Sequence, residues 1–360
     1  MQPIVTTTAA LTELAARLDA AGAIGLDTEF LRERTYRAEL CLIQVASPDL
    51  AACVDPLALT DLSPLSRLLA ASRPVKVMHA SRQDLEVLFP VAGMVQPVFD
   101  TQIAAALAGL SAQIGYGELV RRTLGTDLPK SHTRTDWARR PLSPEQVEYA
   151  LDDVRYLLPL KSHLEEQLDR LGRLAWLAEE LAALSDPNAI AVNPDNAWHR
   201  LKGLRGFDAG RLRLAQSLAA WRERRAIERN RPRGWILDDT ALREIILRVP
   251  RSVEQLQSLP DMAPSVIKHC ADDLLDMVTA ANIPHPAPPL PARARPSPEQ
   301  TALVKKLATL NQSIAQSLSL SPEVLATRRD LERLAEGARD LGILEGWRRT
   351  VIGEPLLAAL

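Results

Sequence analysis

Apolar positions in the first half of the chain change period several times, and each change predicts an element. Residues 8–21 carry apolar side chains at helical spacing, with Leu11, Leu14 and Leu18 on one stripe, and predict an amphipathic helix. The run AIGLDTEF then predicts a strand, and CLIQVAS and LAACVDP follow at hairpin-like distances. PVKVMHA predicts a fourth strand before the helix SRQDLEVLF, and PVFD a fifth before the helix TQIAAALAGL. An antiparallel start followed by strand–helix alternation implies an α/β unit, a mixed sheet flanked by helices. Farther on, Ser143 reads as an N-cap, with Pro144 at the first helical position and Gln146 completing a capping box. The C-terminal part shows only helical patterns, such as LRLAQSLAAWRERRAIE and EQTALVKKLATLNQSIAQSL.

Proline and asparagine divide these elements into three expected units. SDPNAIAVNPDN (Ser185 to Asn196) breaks helical periodicity and reads as a linker. IPHPAPPLPARARPSP is a stronger break, with seven prolines among the fifteen residues from Pro284 to Pro298, and reads as an extended spacer. The expected units are residues 1–185, 198–283 and 299–360.

Composition bounds the function more than it names it. A chain of 360 residues, 46% hydrophobic and 24% charged, exceeds the size at which one hydrophobic core keeps growing. No apolar stretch approaches the ~20 residues of a membrane span, and the N-terminus lacks the pattern of a secretory signal. Cys41, Cys53 and Cys270 are too few and too scattered for a disulfide framework or a zinc cage. Buried thiols in a reducing cytoplasm are expected, with no membrane and no obligate protein partner evident. A net charge of -2 hides an uneven distribution. Trp198 to Trp235 holds eleven Lys and Arg residues against three acids (Asp208, Glu223 and Glu228), an excess of eight positive charges. Such a stretch points to a polyanionic partner or to a solvated Arg-rich helix face.

The candidate chemistry lies earlier. Asp27 and Glu29 stand two apart near the end of a strand, so both point to one face, where like charges repel unless a cation lies between them. A solvated strand end is the alternative. Asp84 follows Ser81 by three at a helix start, where it could serve only the helix dipole, but helix starts after parallel strands also line the edge where α/β sites form. Tyr149 and Asp153 lie one turn apart on one helix face; Asp152, the competing acid, points about 100° away. These are hard oxygen donors without His or Cys at zinc spacing, which favours Mg²⁺ or Mn²⁺. Several carboxylates can hold two such ions for phosphodiester cleavage. A nearby phenol could orient the attacking water, although its ordinary pKa of ~10 makes it a poor base.

DTEF, HASRQDLEVLF, FDTQIAA and SHTRTDWARRPLSPEQVEYALDDVRYLLPL, in that order, resemble the ribonuclease D family, the branch of the DEDD exonucleases whose third motif is Y-x-x-x-D. The resemblance spans about residues 20–165. It implies a ribonuclease H-like exonuclease domain and two-metal 3′-to-5′ cleavage. Asp27, Glu29, Asp84 and Asp153 are then the metal ligands, and Tyr149 and Glu29 the catalytic residues, with Tyr149 orienting water. WRERRAIERNRPRGWILDDTAL, and then SPEVLATRRDLERL with GWRRTVIGEPLL, resemble the two helical HRDC domains that follow this nuclease. The first departs from them in lacking a glycine before its last helix, where it reads APSVIKHCADDLL.

The family implies trimming of RNA with a free 3′ end, transfer RNA precursors especially, with release of nucleoside 5′-monophosphates. A DNA 3′-5′ exonuclease and a non-catalytic nucleic-acid-binding protein are the competing readings. Candidate substrate contacts are Phe30, His79, Arg134 and the cluster Arg222, Arg224, Arg225 and Arg229. The alternatives for these are a core phenylalanine, a structural histidine, a loop-ordering arginine and a solvated helix face.

Overall fold

A computed structural model describes residues 4–129, 135–186, 193–204, 206–281 and 297–360. Among them six strands form one sheet: β1 (Ile4–Val5), β2 (Ala23–Leu31), β3 (Glu39–Ser47), β4 (Leu50–Val54), β5 (Val75–Met78) and β6 (Val98–Asp100). Their order is β1-β4-β3-β2-β5-β6. β2, β5 and β6 run parallel, β3 and β4 antiparallel. The mixed sheet is as expected. The two-residue β1, pairing parallel with β4, is too short to carry a period.

Helices cover both faces. α1 (Thr8–Asp19), α2 (Ser63–Ala70) and α3 (Arg82–Ala92) bury Leu11, Leu14, Leu18, Leu65 and Leu88 against Ile24, Leu26, Ile43 and Val45. Over the other face lie α4 (Thr101–Leu107), α5 (Tyr116–Leu124), α6 (Pro144–Arg155), α7 (Leu157–Arg170) and α8 (Leu174–Leu184). Ser143 and Gln146 form the expected capping box at the start of α6.

The chain forms two compact units, and neither is continuous in sequence. The first comprises Met1–Leu31, Leu40–Ile190 and Pro296–Leu360. Residues 299–360, expected as a unit of their own, instead complete the core of this one: Leu307, Ala315, Leu325, Trp347 and Leu356 are buried in one cluster with Phe99, Leu107, Leu160 and Leu177. Polar contacts explain why. Arg173 donates to the carbonyls of Leu107 (2.7 Å) and Leu318 (2.5 Å). Trp347 stacks on Trp176 at 4.4 Å and donates its backbone and indole N–H to Glu179 and Glu180 (2.8 and 2.7 Å). Arg348 also pairs with Glu180. At Gly109, with φ +99°, a Cβ would stand 2.7 Å from the Ser319 carbonyl, so only glycine permits this approach.

The second unit comprises Arg32–Glu39 and Ala191–Arg295. Its core packs the helices Ala209–Glu228, Asp239–Arg248 and Pro264–Ala281 through Leu214, Leu218, Ile245, Leu274 and Val278. Glu223, 1% exposed, accepts from Arg233 (2.7 Å) and from the Tyr36 hydroxyl. Burial alone would raise its carboxyl; those bonds hold it below its ordinary value. The segment between β2 and β3 thus belongs to the helical unit. Most of the proline-rich spacer lies outside the described residues. Among the described residues no helix is long and apolar enough to cross a membrane.

Trp347→Ala should lower the stability of the first unit by about 3–5 kcal/mol, the cost of emptying a buried tryptophan site. Urea unfolding followed through the sheet would check it. An independent C-terminal domain would leave that transition where it was.

Candidate active site

The acids singled out in the sequence gather along the C-terminal half of β2, which runs on to Leu31, so that Asp27 stands mid-strand and not at the strand end the sequence suggested. Asp27 and Glu29 alternate with Thr28, whose hydroxyl donates to Asp84 Oδ1 at 2.5 Å across the turn into α3. Asp84, 8% exposed, lies in the first turn of that helix. Asp153 comes from α6, and Gly25 explains its approach. A Cβ there would stand 2.9 Å from the Val154 carbonyl, so the bare glycine lets α6 lie directly on β2.

The turn before α3 is built differently from the sequence reading. Ser81 makes no side-chain cap. Its N–H and hydroxyl donate to Asp100 Oδ2, both at 2.8 Å, while Asp100 Oδ1 accepts from Ala80 (3.2 Å) and from Gln102 (2.8 Å) at the start of α4. Ala80 takes φ +52° within this turn. Asp100, the last residue of β6 and the N-cap of α4, therefore fixes the turn that presents Asp84. It was missed as a site-building residue. The run FDTQ signals the cap, but nothing local signals the second turn it holds.

Burial dominates the electrostatics, and repulsion between the acids adds to it. Asp27 is half-buried. Burial pushes its carboxyl well above the ordinary range, followed by the charges of Asp84, Asp153 and Glu29. Burial first, then Asp153 and Asp84, raise Glu29 to about 8. Burial and Asp152 raise Asp153 to about 7, and burial raises Asp84 to about 6 against the Thr28 hydrogen bond. Asp152 itself pairs with Arg155 at 2.7 Å.

Tyr149 is half-buried and stacks on Trp137 at 6.2 Å. Burial and the charges of Asp153, Glu29 and Asp27 push its phenol upward, so it stays protonated and can donate but not act as a base. The loop before α6 is ordered by Arg140, which grips Asp55 with two hydrogen bonds (2.6 and 2.8 Å) and donates to the carbonyls of Trp137 (2.7 Å) and Cys41 (2.8 Å).

The donor set fits a hard divalent cation: four carboxylates with raised proton affinity need either protons or positive charge between them. Among the described residues, no three acidic, histidine or cysteine side chains are already drawn into a metal-binding group. The acids sense one another at Coulombic range instead.

The weaker candidates fare unevenly. Phe30 is half-buried at the end of β2. His79 has both ring nitrogens engaged, with Thr101 Oγ1 at 2.9 Å and the Ile114 carbonyl at 3.0 Å, which leaves neither for a phosphate. Arg134 lies outside the described residues. In the second unit Arg222 is buried and donates to the Leu237 carbonyl (3.0 Å) and to Asp239 (2.6 Å), a core-building arginine and not a surface one. Arg225 pairs with Asp273 at 2.6 Å and lies 5.6 Å over the Trp221 ring. Arg224, paired with Asp195, and Arg229 are exposed.

Comparison with known proteins matches this arrangement. A 3′-5′ exonuclease model covers residues 2–169 and an HRDC domain model residues 211–278. Ribonuclease D of Gluconacetobacter diazotrophicus is 39% identical over 99% of this chain and 92% of its own length. Ribonuclease D of Jannaschia sp. is 40% identical over 100% of this chain and 95% of its own. Among solved structures, Escherichia coli RNase D, described as an exoribonuclease involved in structured RNA processing, superposes with a TM-score of 0.89 at 33% identity, over 99% of this chain and 98% of that one. The four acids, the tyrosine and the full-length likeness lead to one assignment: the chain belongs to the ribonuclease D family and is a divalent-metal-dependent 3′-5′ exoribonuclease.

Proposed function

We propose that this enzyme trims the 3′ ends of structured RNAs, transfer RNA precursors among them, and releases nucleoside 5′-monophosphates. In this reading Asp27, Glu29, Asp84 and Asp153 hold two Mg²⁺ or Mn²⁺ ions. The observation that carries it is the crowding of four carboxylates, Asp84 buried and the others part-buried, along the C-terminal half of β2, each raised by burial and by a neighbouring acid. When bound, the ions would activate water as Lewis acids and offset charge at the scissile phosphate. Tyr149, kept protonated, donates a hydrogen bond that orients the water, with its ring steadied by Trp137. Asp100 and Arg140 act one step further out, holding the turn of Asp84 and the loop before α6.

RNA is bound by the helical unit in this proposal. Support comes from the exposed Arg224 and Arg229, and from Trp235, 58% exposed with the Arg231 guanidinium 5.7 Å from its ring centre. An exposed aromatic beside a cation is a sequence-tolerant platform for a base. Residues 299–360 are read as a second HRDC-like element that has become part of the catalytic unit.

Three outcomes are expected. Asp27→Asn should abolish turnover, by roughly 10³-fold or more for loss of a metal-holding charge, with circular dichroism unchanged. The wild type should convert 5′-labelled RNA into a ladder of shortening products. Cleavage inside a circular RNA would contradict 3′-end attack, and equal turnover of DNA would shift the substrate reading.

Stability should depend on metal and pH together. Raised carboxyls keep in the folded state protons that the unfolded chain loses from about pH 4 upward. Their protonation therefore stabilises the metal-free fold at low pH, and that contribution fades as pH rises through about 8, the value for Glu29. The gain in Tm from Mn²⁺ over EDTA should accordingly grow from pH 5.5 to pH 8. A gain that is flat or shrinking would argue against these acids as ligands.

Replacing Arg224 and Arg229 with Ala should reduce the salt dependence of RNA binding, by roughly 0.7–0.9 in log–log slope per lost phosphate contact. Turnover of a short saturating oligonucleotide should barely change. An unchanged slope would make these two arginines a solvated face.

A further inference from the structure

Gln44 lies in the middle of β3 with no exposed surface, and among the described residues neither its amide nitrogen nor its amide oxygen has a hydrogen-bond partner. An amide buried without partners costs stability, and native folds rarely keep one without a use. Its neighbours follow from register. β2 and β3 are adjacent in the sheet, and only seven residues, 32–38, connect them. That is too short for the crossover a parallel pair needs, so the two strands run antiparallel. A Cβ on Gly25 would stand 3.5 Å from Ala46 Cβ, which sets those two residues opposite each other. Counting inward, Asp27 faces Gln44. On its other side Gln44 pairs in register with Cys53 of β4. α6 packs on β2 and β4 and so lies across β3 between them, above this row.

The unpartnered amide therefore stands beside Asp27 of the cluster, on the sheet face covered by the helix of Tyr149 and Asp153. A carboxylate that holds a cation with one oxygen needs a donor on the other, and such donors set its orientation and its affinity for the metal. The Thr28 backbone N–H already serves the Asp27 carboxylate, and the Gln44 amide is a second donor within reach of the same strand row. We propose that Gln44 is a positioning residue for the metal site, whose side-chain amide donates to the Asp27 carboxylate once that carboxylate binds a divalent cation. This rests on the reading of Asp27 as a ligand.

Two predictions with opposite signs separate this from a packing role. Gln44→Met keeps the side-chain volume and removes the amide. In EDTA the variant should melt at the same temperature as the wild type or higher, because a buried polar group without partners is gone. Its Kd for Mn²⁺, read by electron paramagnetic resonance on the full chain without RNA, should rise about tenfold or more. A Kd within threefold of the wild type would overturn the proposal, as would a variant with lower Tm in EDTA and unchanged metal affinity. A second measurement needs no folded variant: the side-chain amide resonances of Gln44 in the wild type should shift on addition of Mg²⁺, and resonances that stay put overturn it too. Wild-type protein that takes up no Mn²⁺ would instead refute the metal-site reading itself, whereas normal uptake with equal affinity in Gln44→Met refutes only the role given to Gln44.

Discussion

Like charges confined along the C-terminal half of one strand are what the rest of this structure must accommodate. Left to themselves in a medium that screens poorly, Asp27, Glu29, Asp84 and Asp153 would move apart or take up protons. The fold denies them the first course. Gly25 brings α6 onto β2, Thr28 ties Asp84 to the strand, and Asp100 locks the turn from which Asp84 projects. The unfavourable charge is thus held in place by ordinary packing and by hydrogen bonds to carboxylates, none of which needs a metal ion to form. What the site gains is an affinity for positive charge that the scaffold enforces.

Much of this was legible in the sequence, and the limits have a common cause. Strand β2, the helix start at Asp84 and the capping box at Ser143 are local patterns, and each appears where the periodicity places it. The acids were recognisable because motif order along a chain survives changes in the loops between. The parts that escaped depend on residues far apart in sequence. Asp100 holds Ser81 across 19 positions, and Arg140 holds Asp55 across 85. Arg173 reaches Leu318 across 145. No window of local periodicity contains such pairs.

The basic stretch from Trp198 to Trp235 shows how formal charge misleads when position is unknown. Eight excess charges left open a polyanionic partner or a solvated Arg-rich helix face. Helical geometry divides them instead. Arg222 faces inward to tie Leu237 and Asp239, and Arg233 neutralises a buried Glu223, while Arg224, Arg229 and Arg231 face outward. Part of the positive charge is consumed in building the unit that displays the remainder.

The interleaving of the two units sets the order in which the protein can be completed as it is made. The first unit lacks Pro296–Leu360 until synthesis has passed through roughly a hundred residues of the second, several seconds at ~5–20 residues per second. Throughout that interval Leu177, Trp176 and the α4 end at Leu107 wait for partners that do not yet exist, and Arg173 holds only one of its two carbonyls. A nascent chain stalled before Trp347 would carry all the acids of the cleft and still present an open apolar surface to the crowded interior of the cell.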